Sequence, residues 1–206
     1  MALTTRQIAV AALDLAETRG SEALTMRSLA SKLNRRPSSL YNHIGGRDDL
    51  IERMRALIVE EIDSRPFGTE PWDSALISWA HSYLAAFATR PNCIRLLATT
   101  PVTDPSTLQM YDVVVEALGR AGWPDGEAIA VVRTVEAHVL GSALDFIAPH
   151  ELAVPAVVPP ELEHLHRNLD PAHASLATAR FAFDLGIRAL VEGLRRHQTA
   201  RVICSP

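Results

Sequence analysis

The chain has little of what marks exported, membrane-bound or metal-dependent proteins. Only two cysteines, Cys93 and Cys204, occur in 206 residues. They form neither a CxxC pair nor a disulfide framework, so a reducing cytoplasm is the expected compartment and Cys93 reads as an apolar core residue. The N-terminus lacks an apolar h-region: Arg6, Asp14, Glu17 and Arg19 make it a charged amphipathic segment rather than a signal peptide. The longest apolar stretch, about 128–148, carries Arg133, Glu136 and His138 at its middle, which argues against a membrane span. Catalytic signatures are equally scarce. There is no GxSxG, no glycine-rich phosphate loop and no context for a Cys/His nucleophile. His150-Glu151 opens like HExxH, but Val154 stands where the second histidine would be. His164 and His166, beside Glu161 and Glu163, are two residues apart and diverge on a helix. No enzyme activity, metal or other cofactor is expected.

What is present is apolar, helical and asymmetrically charged. The 48% apolar content fits a folded globular chain, and the formal charge of −4 hides a division. Residues 1–55 hold nine basic and six acidic side chains, a net of +3, whereas the remainder carries −7. A basic head on an acidic body points to a polyanion-binding end and a second part with another task.

No run alternates like a half-buried strand, and there is no internal repeat or low-complexity tract. Thr4-x-x-Gln7 has capping-box spacing ahead of Ile8, Ala11, Ala12 and Leu15, and Gly20 is a natural stop for this helix of about 4–19. Thr25 can cap a second helix carrying Met26, Leu29, Ala30 and Leu33, ended by Asn34, a residue tolerant of left-handed geometry. After Arg35-Arg36, the segment 37–44 opens on Pro37 and puts Leu40 and Ile44 on one face. Gly45-Gly46 breaks it, and a helix starting near Arg47 runs to about Ser64, with a domain boundary placed inside it near residue 50. Residues 1–50 then form a three-helix, helix-turn-helix unit, and residues 51–206 a larger helical domain. That domain has helices at about 72–89, 92–99, 106–121, 125–147 and 173–197, and the proline-rich stretch 149–171 is a loop with a short helical turn. The fold class is all-α.

The N-terminal unit is the informative part. Its exposed positions suit a DNA reader: Ser38, Ser39, Asn42 and His43 are short polar groups that can approach base edges in the major groove. Tyr41, Arg47, Arg27 and Thr25 can donate to phosphate oxygens, which sets register without reading sequence. The alternative is a helical small-molecule-binding or catalytic protein whose basic bundle does not contact DNA.

Three stretches in order carry a resemblance: Leu24-Thr25-Met26-Arg27-Ser28-Leu29-Ala30 with Leu33, then Ser39-Leu40-Tyr41-Asn42-His43-Ile44, then Arg47-Asp48-Asp49-Leu50. They resemble the N-terminal signature of the TetR family of transcriptional regulators. The closing Arg180-Phe181-Ala182-Phe183-Asp184-Leu185-Gly186 segment, followed by Leu190 and Gly193-Leu194, is similar to the tetracycline-repressor-like branch. The resemblance implies a homodimer that binds a palindromic operator as double-stranded DNA and releases it when a small-molecule effector enters the C-terminal domain. It places Met26, Arg27, Pro37, Ser38, Ser39, Tyr41, Asn42 and His43 on the DNA face, and Arg47 where a phosphate-binding lysine is usual. The chain departs from the pattern at the turn, where Asn34-Arg35 replaces Gly-Val and Arg35 is expected to swing toward the phosphates. Asn42 takes a position often filled by an aromatic residue. In the segment Arg95–Pro101 a leucine replaces a metal-binding histidine, so a tetracycline–magnesium effector is not implied.

For the body, the resemblance nominates a largely apolar cavity lined by Trp79, Tyr83, Met110 and Val114. His81, Arg133, Glu136 or His138 would orient the effector's polar group. Read from the residues alone, Trp79 and Tyr83 can equally be core, and Arg133–Glu136 can be an i,i+3 pair beside a satisfied histidine. Small residues on the last two long helices (Gly141, Ala143, Ala182, Gly186, Ala189, Gly193), taken with the resemblance, nominate those helices as a dimer-forming four-helix bundle.

Overall fold

A computed structural model describes residues 3–148, 155–176 and 178–204. Ten α-helices follow one another in it: α1 Thr5–Arg19, α2 Met26–Lys32, α3 Pro37–Leu40, α4 Arg47–Val59, α5 Trp72–Ala88, α6 Pro91–Ala98, α7 Pro105–Arg120, α8 Glu127–Asp145, α9 Glu163–Asn168 and α10 Ala179–Cys204. No strand occurs among the described residues.

The N-terminal elements start and stop for local reasons. Thr4 and Gln7 close the capping box of α1 in both directions, and Thr25 with Ser28 does the same for α2. Asn34 takes φ 52°, the left-handed turn that ends α2 and redirects the chain into α3. Ile8, Ala12, Leu15, Leu29, Leu40, Ile44, Leu50 and Met54 are buried together and brace this unit. The third segment is shorter than its pattern suggests: one helical turn to Leu40, then a non-helical turn through His43.

Three other boundaries differ from expectation. The helix from Arg47 ends at Val59, not Ser64, because Glu61 and Ile62 bond back only three residues and Ser82 Oγ accepts the Asp63 amide at 3.0 Å, drawing the chain onto α5. The last helix begins at Ala179 rather than 173, where Thr178 Oγ1 accepts the Phe181 amide. It continues to Cys204, past the expected end at 197. Between α8 and α10 the proline-rich stretch contains α9. His150 and Glu151 lie outside the described residues.

The body is built on α5, which packs against α8 and α10, while α7 covers α8 and α4 enters between α5 and α7. Trp79 is fully buried, edge-on to Phe67 and Tyr83. Cys93 is buried as well, and burial pushes its thiol up to about 12, which makes it unreactive. Arg195 Nε donates to Asp73 at 2.6 Å and Gln198 donates to the Ala121 carbonyl, tying the end of α10 back to the start of α5 and the end of α7.

Gly186 has a definite task within the chain. The His138 ring lies parallel to Phe183 with centroids 5.2 Å apart, and its Nε2 is 3.1 Å from the Phe183 carbonyl. A Cβ at position 186 would come within 2.3 Å of that ring. Gly186 therefore seats α10 on α8 of its own chain, whereas Gly141 and Gly193 have open space around them. Gly186→Ala should lower stability by about 1–3 kcal/mol through overpacking. Adding His138→Ala should recover part of that loss in thermal or urea unfolding, and no recovery would mean the ring is not the obstacle.

Candidate nucleic-acid interface and effector site

The reading surface forms where α2, the Asn34 turn and α3 meet. Ser38, Tyr41, Asn42 and His43 are exposed there, Tyr41 by 57% even though it is aromatic, while Leu40 and Ile44 between them are buried. Pro37, at the first position of α3, is exposed, Arg27 is exposed, and Met26 is half-buried against the unit's core. Three of the nominated hydroxyl and guanidinium groups already have partners. Thr25 Oγ1 accepts the Ser28 amide at 3.1 Å as the cap of α2. Ser39 Oγ donates to the Arg36 carbonyl at 2.7 Å, which leaves it only acceptor capacity toward a base. Arg47 Nη1 donates to the Leu24 carbonyl at 3.0 Å, pinning the start of α4 beside the start of α2. A concavity of about 650 Å³ opens at the turn, lined by Asn34, Arg35, Arg36, Ser38, Ser39 and Asn42.

In the body, the nominated effector residues fall into separate groups. Tyr83 and Glu136 meet: the Tyr83 hydroxyl donates to Glu136 Oε1 at 2.8 Å. Tyr111, which the sequence reading missed, donates to the same oxygen at 2.6 Å. Its only sequence signal was a polar-tipped ring one position after Met110 on an amphipathic helix. Burial and then the Glu136 charge hold both phenols protonated, Tyr83 well above its ordinary value and Tyr111 raised as well. They therefore remain donors, and the carboxylate keeps its second oxygen for another donor. Met110 and Val114 are buried on α7, and Trp79 Nε1 is buried with no acceptor among the described residues.

His81 and His138 form a different cluster, both against Phe183. His81 Nε2 lies 3.6 Å from Asp184, and its pKa is lowered by burial, against the pull of Asp184. Arg133 is exposed and the Arg133–Glu136 pair does not form; the bonds that Glu136 makes are to the two tyrosine hydroxyls. The two histidines of α9 do not converge. His164 Nδ1 faces Arg167 at 2.6 Å, and His166 Nε2 lies 3.1 Å from the Val158 carbonyl. No group of three or more metal-ligating side chains assembles among the described residues.

A buried ion pair joins the two parts. Arg55 Nε donates to Glu52 Oε1 at 2.8 Å, and both side chains are 9% exposed. Arg55 Nη2 reaches the Leu97 and Thr100 carbonyls at the end of α6, and Glu52 Oε2 accepts the Thr103 and Asp104 amides just before α7. Nearby, Glu17 of α1 accepts both the backbone and side-chain amides of Asn92 at the start of α6. Helix α6 is thus held at both ends, by the Glu17 anion of α1 at its amide end and the Arg55 cation of α4 at its carbonyl end, as its dipole favours.

An all-α body joined in this way to a helix-turn-helix unit is the fold of a DNA-binding regulator. Residues 66–197 match the family model "Tetracyclin repressor-like, C-terminal domain". The chain belongs to the TetR family of transcriptional regulators. It is 25% identical over 142 residues to the HTH-type transcriptional repressor DrrR1 of Streptomyces coeruleorubidus, a match covering 68% of this chain and 53% of that protein. The chain thus spans about half that relative's length. It is 27% identical over 187 residues to the tetracycline repressor protein class E of Escherichia coli, covering 88% of this chain and 86% of the repressor. The Streptomyces coelicolor TetR family protein ActR, solved in complex with actinorhodin, superposes with a TM-score of 0.75 at 22% identity, covering 96% of this chain and 99% of that one, and shows the same fold. Among the described residues, no helix is long and apolar enough to cross a membrane.

The joint yields a stability prediction. Burial alone would raise the Glu52 pKa, but the Thr103 and Asp104 amides and Arg55 outweigh it and hold the carboxyl below its ordinary value. Glu52 therefore contributes stability that is complete above the ordinary carboxylate range and is lost as pH falls through its depressed folded value. Arg55→Met, which leaves Glu52 buried without its partner, should cost about 3–5 kcal/mol, and Glu52→Gln/Arg55→Met less. The stability gap between wild type and Glu52→Gln should also close on acidification, measured by urea unfolding across the acidic range. A gap independent of pH would show that the carboxylate charge is not what the joint uses.

Proposed function

We propose that the protein is a homodimeric transcriptional regulator. It binds a palindromic operator through its N-terminal unit and leaves it when a small, largely apolar effector binds in the body. The observation that carries this reading is the polar, outward set Ser38, Tyr41, Asn42 and His43 mounted over a buried Leu40 and Ile44, on a basic head whose helices are joined directly to the body. Tyr41 is placed to donate to a phosphate, and Ser38, Asn42 and His43 to approach base edges. Met26, Pro37 and Ser39 shape and support that surface, and Thr25 and Arg47 keep the α2 and α4 starts in register beside it. Such a regulator acts in the cytoplasm, where the DNA is, and needs no catalytic group.

Dimerisation is supported by the outer faces of α8, of the turn after it and of α10, which leave Ile129, Leu144, Ile147, Phe181 and Leu185 exposed beside Gly141, Ala182, Ala189 and Gly193. Exposed apolar residues interleaved with small ones suit close helix packing between two copies. For the effector, the Tyr83–Glu136–Tyr111 group next to Trp79, Met110 and Val114 offers a polar anchor in apolar surroundings. His81, His138 and Arg133 are less central to it.

Operator binding and release can be read by fluorescence anisotropy on a DNA fragment from upstream of the protein's own gene. Wild-type affinity should fall steeply with salt, and Tyr41→Phe should weaken it for every sequence tested. Glu136→Gln should leave operator affinity close to wild type while blunting release by polycyclic aromatic compounds, a panel that includes actinorhodin. The coupling at stake is roughly 5–150-fold in affinity. Binding insensitive to salt and sequence would favour the alternative of a helical small-molecule-binding protein that does not act on DNA.

A further inference from the structure

The basic side chains of the head are not equivalent. Arg6 pairs with Glu60, Lys32 with Asp14, Arg53 with Asp49 and Arg55 with Glu52, and Arg47 is held by the Leu24 carbonyl. Arg19, Arg27, Arg35 and Arg36 make no side-chain hydrogen bond or ion pair among the described residues. Of these four, Arg35 and Arg36 line the concavity at the turn, next to Ser38, Ser39 and Asn42. Arg35 also borders the groove between α1 and α2, with Asp14, Lys32 and Leu33, so it sits on the rim shared by two surfaces. Arg36 borders the reading concavity and not that groove.

The backbone around Arg36 is fixed. It is the cap residue before Pro37, in extended geometry at φ −81° and ψ 143°, and its carbonyl is held by the Ser39 hydroxyl. That bond removes the Ser39 proton from the reading surface. Among the side chains lining that concavity, Arg36 and Asn42, two steps of three residues apart, carry the forked donor groups that match a purine edge and sit on the α3 side of the turn, whereas Ser38 offers a single hydroxyl. Guanidinium forks match guanine O6 and N7, and a carboxamide matches adenine N6 and N7. An unpartnered guanidinium reaches a base without first breaking a bond inside the protein.

We propose that Arg36 is a specificity-determining residue that reads a guanine in each operator half-site through the major groove, beside an adenine read by Asn42, while Arg35 holds a phosphate. The assignment rests on the operator-binding reading above. Because Arg36 is exposed, its variants keep the wild-type fold, which a thermal midpoint verifies.

The test is selection from double-stranded DNA with randomised palindromic half-sites, using the full chain. Wild type should enrich half-sites containing guanine next to adenine. Arg36→Lys keeps the charge but not the fork. It should lose about 5- to 150-fold of discrimination at the guanine position with little change in the salt slope. Arg35→Ala should weaken binding to all sequences and lower the slope by about one, with the preferred site unchanged. If Arg36→Lys retains the guanine preference, Arg36 is a phosphate contact and the proposal falls. If wild type binds DNA but enriches no guanine at any half-site position, the proposal falls while DNA binding stands. If wild type enriches no sequence and shows no salt-dependent binding, both fall.

Discussion

The buried Glu52–Arg55 pair is the joint on which the rest of this chain depends. Two opposite charges this far from water persist only when each has further partners, and here each has them across the boundary between head and body. Arg55 takes the open carbonyls at the end of α6, and Glu52 takes the amides ahead of α7. Any shift of that turn must either carry α4 along or leave a charge unsatisfied. With Glu17 anchoring the other end of α6 through Asn92, the head is fixed to the body at two points rather than hinged at one.

The same joint reaches the helix that carries part of the body's polar centre. The Arg55 charge is felt by the Tyr111 hydroxyl, which donates to Glu136 together with Tyr83. Glu136 on α8 thus gathers hydroxyls from α5 and α7, and Glu52 on α4 holds the amides just ahead of that same α7. A molecule that competes for the Glu136 carboxylate would change what Tyr111 bonds to, on the helix whose start is held by Glu52 of α4. A ligand shifts such an equilibrium only by its differential affinity for the two arrangements. Helix α7, which carries Tyr111 and is held at its start by Glu52, is a place where that difference can arise.

Much of the helical layout was legible because its signals are local. Thr4 with Gln7, Thr25 with Ser28, Asn34 at positive φ and Pro37 at a first helical position each fix the backbone within a few residues. The misplaced ends have non-local causes. The end of α4 depends on Ser82, distant in sequence, accepting the Asp63 amide, and the start of α10 on a cap at Thr178 after a prolonged 3-10 turn. At the candidate site, exposure of Ser38, Tyr41, Asn42 and His43 followed from the burial of Leu40 and Ile44 in a short segment. Tyr111 was not legible, since an aromatic residue on an amphipathic helix looks the same whether its hydroxyl meets solvent or a carboxylate across the bundle.

By itself the sequence determined the helices, the basic head and the family to which the chain belongs, because caps, breakers and apolar spacing act over one or two turns. Only tertiary structure decided which charges are available. Nine basic side chains in the head read alike on paper, yet five are tied to partners within the chain. Glu136 looked like a mate for Arg133 three residues away and instead takes two hydroxyls from other helices. Gly186 looked like a residue for contact with a second copy, and within the chain it makes room for His138. Pairing and close packing depend on distances between segments far apart in sequence, and those distances exist only once the helices have docked.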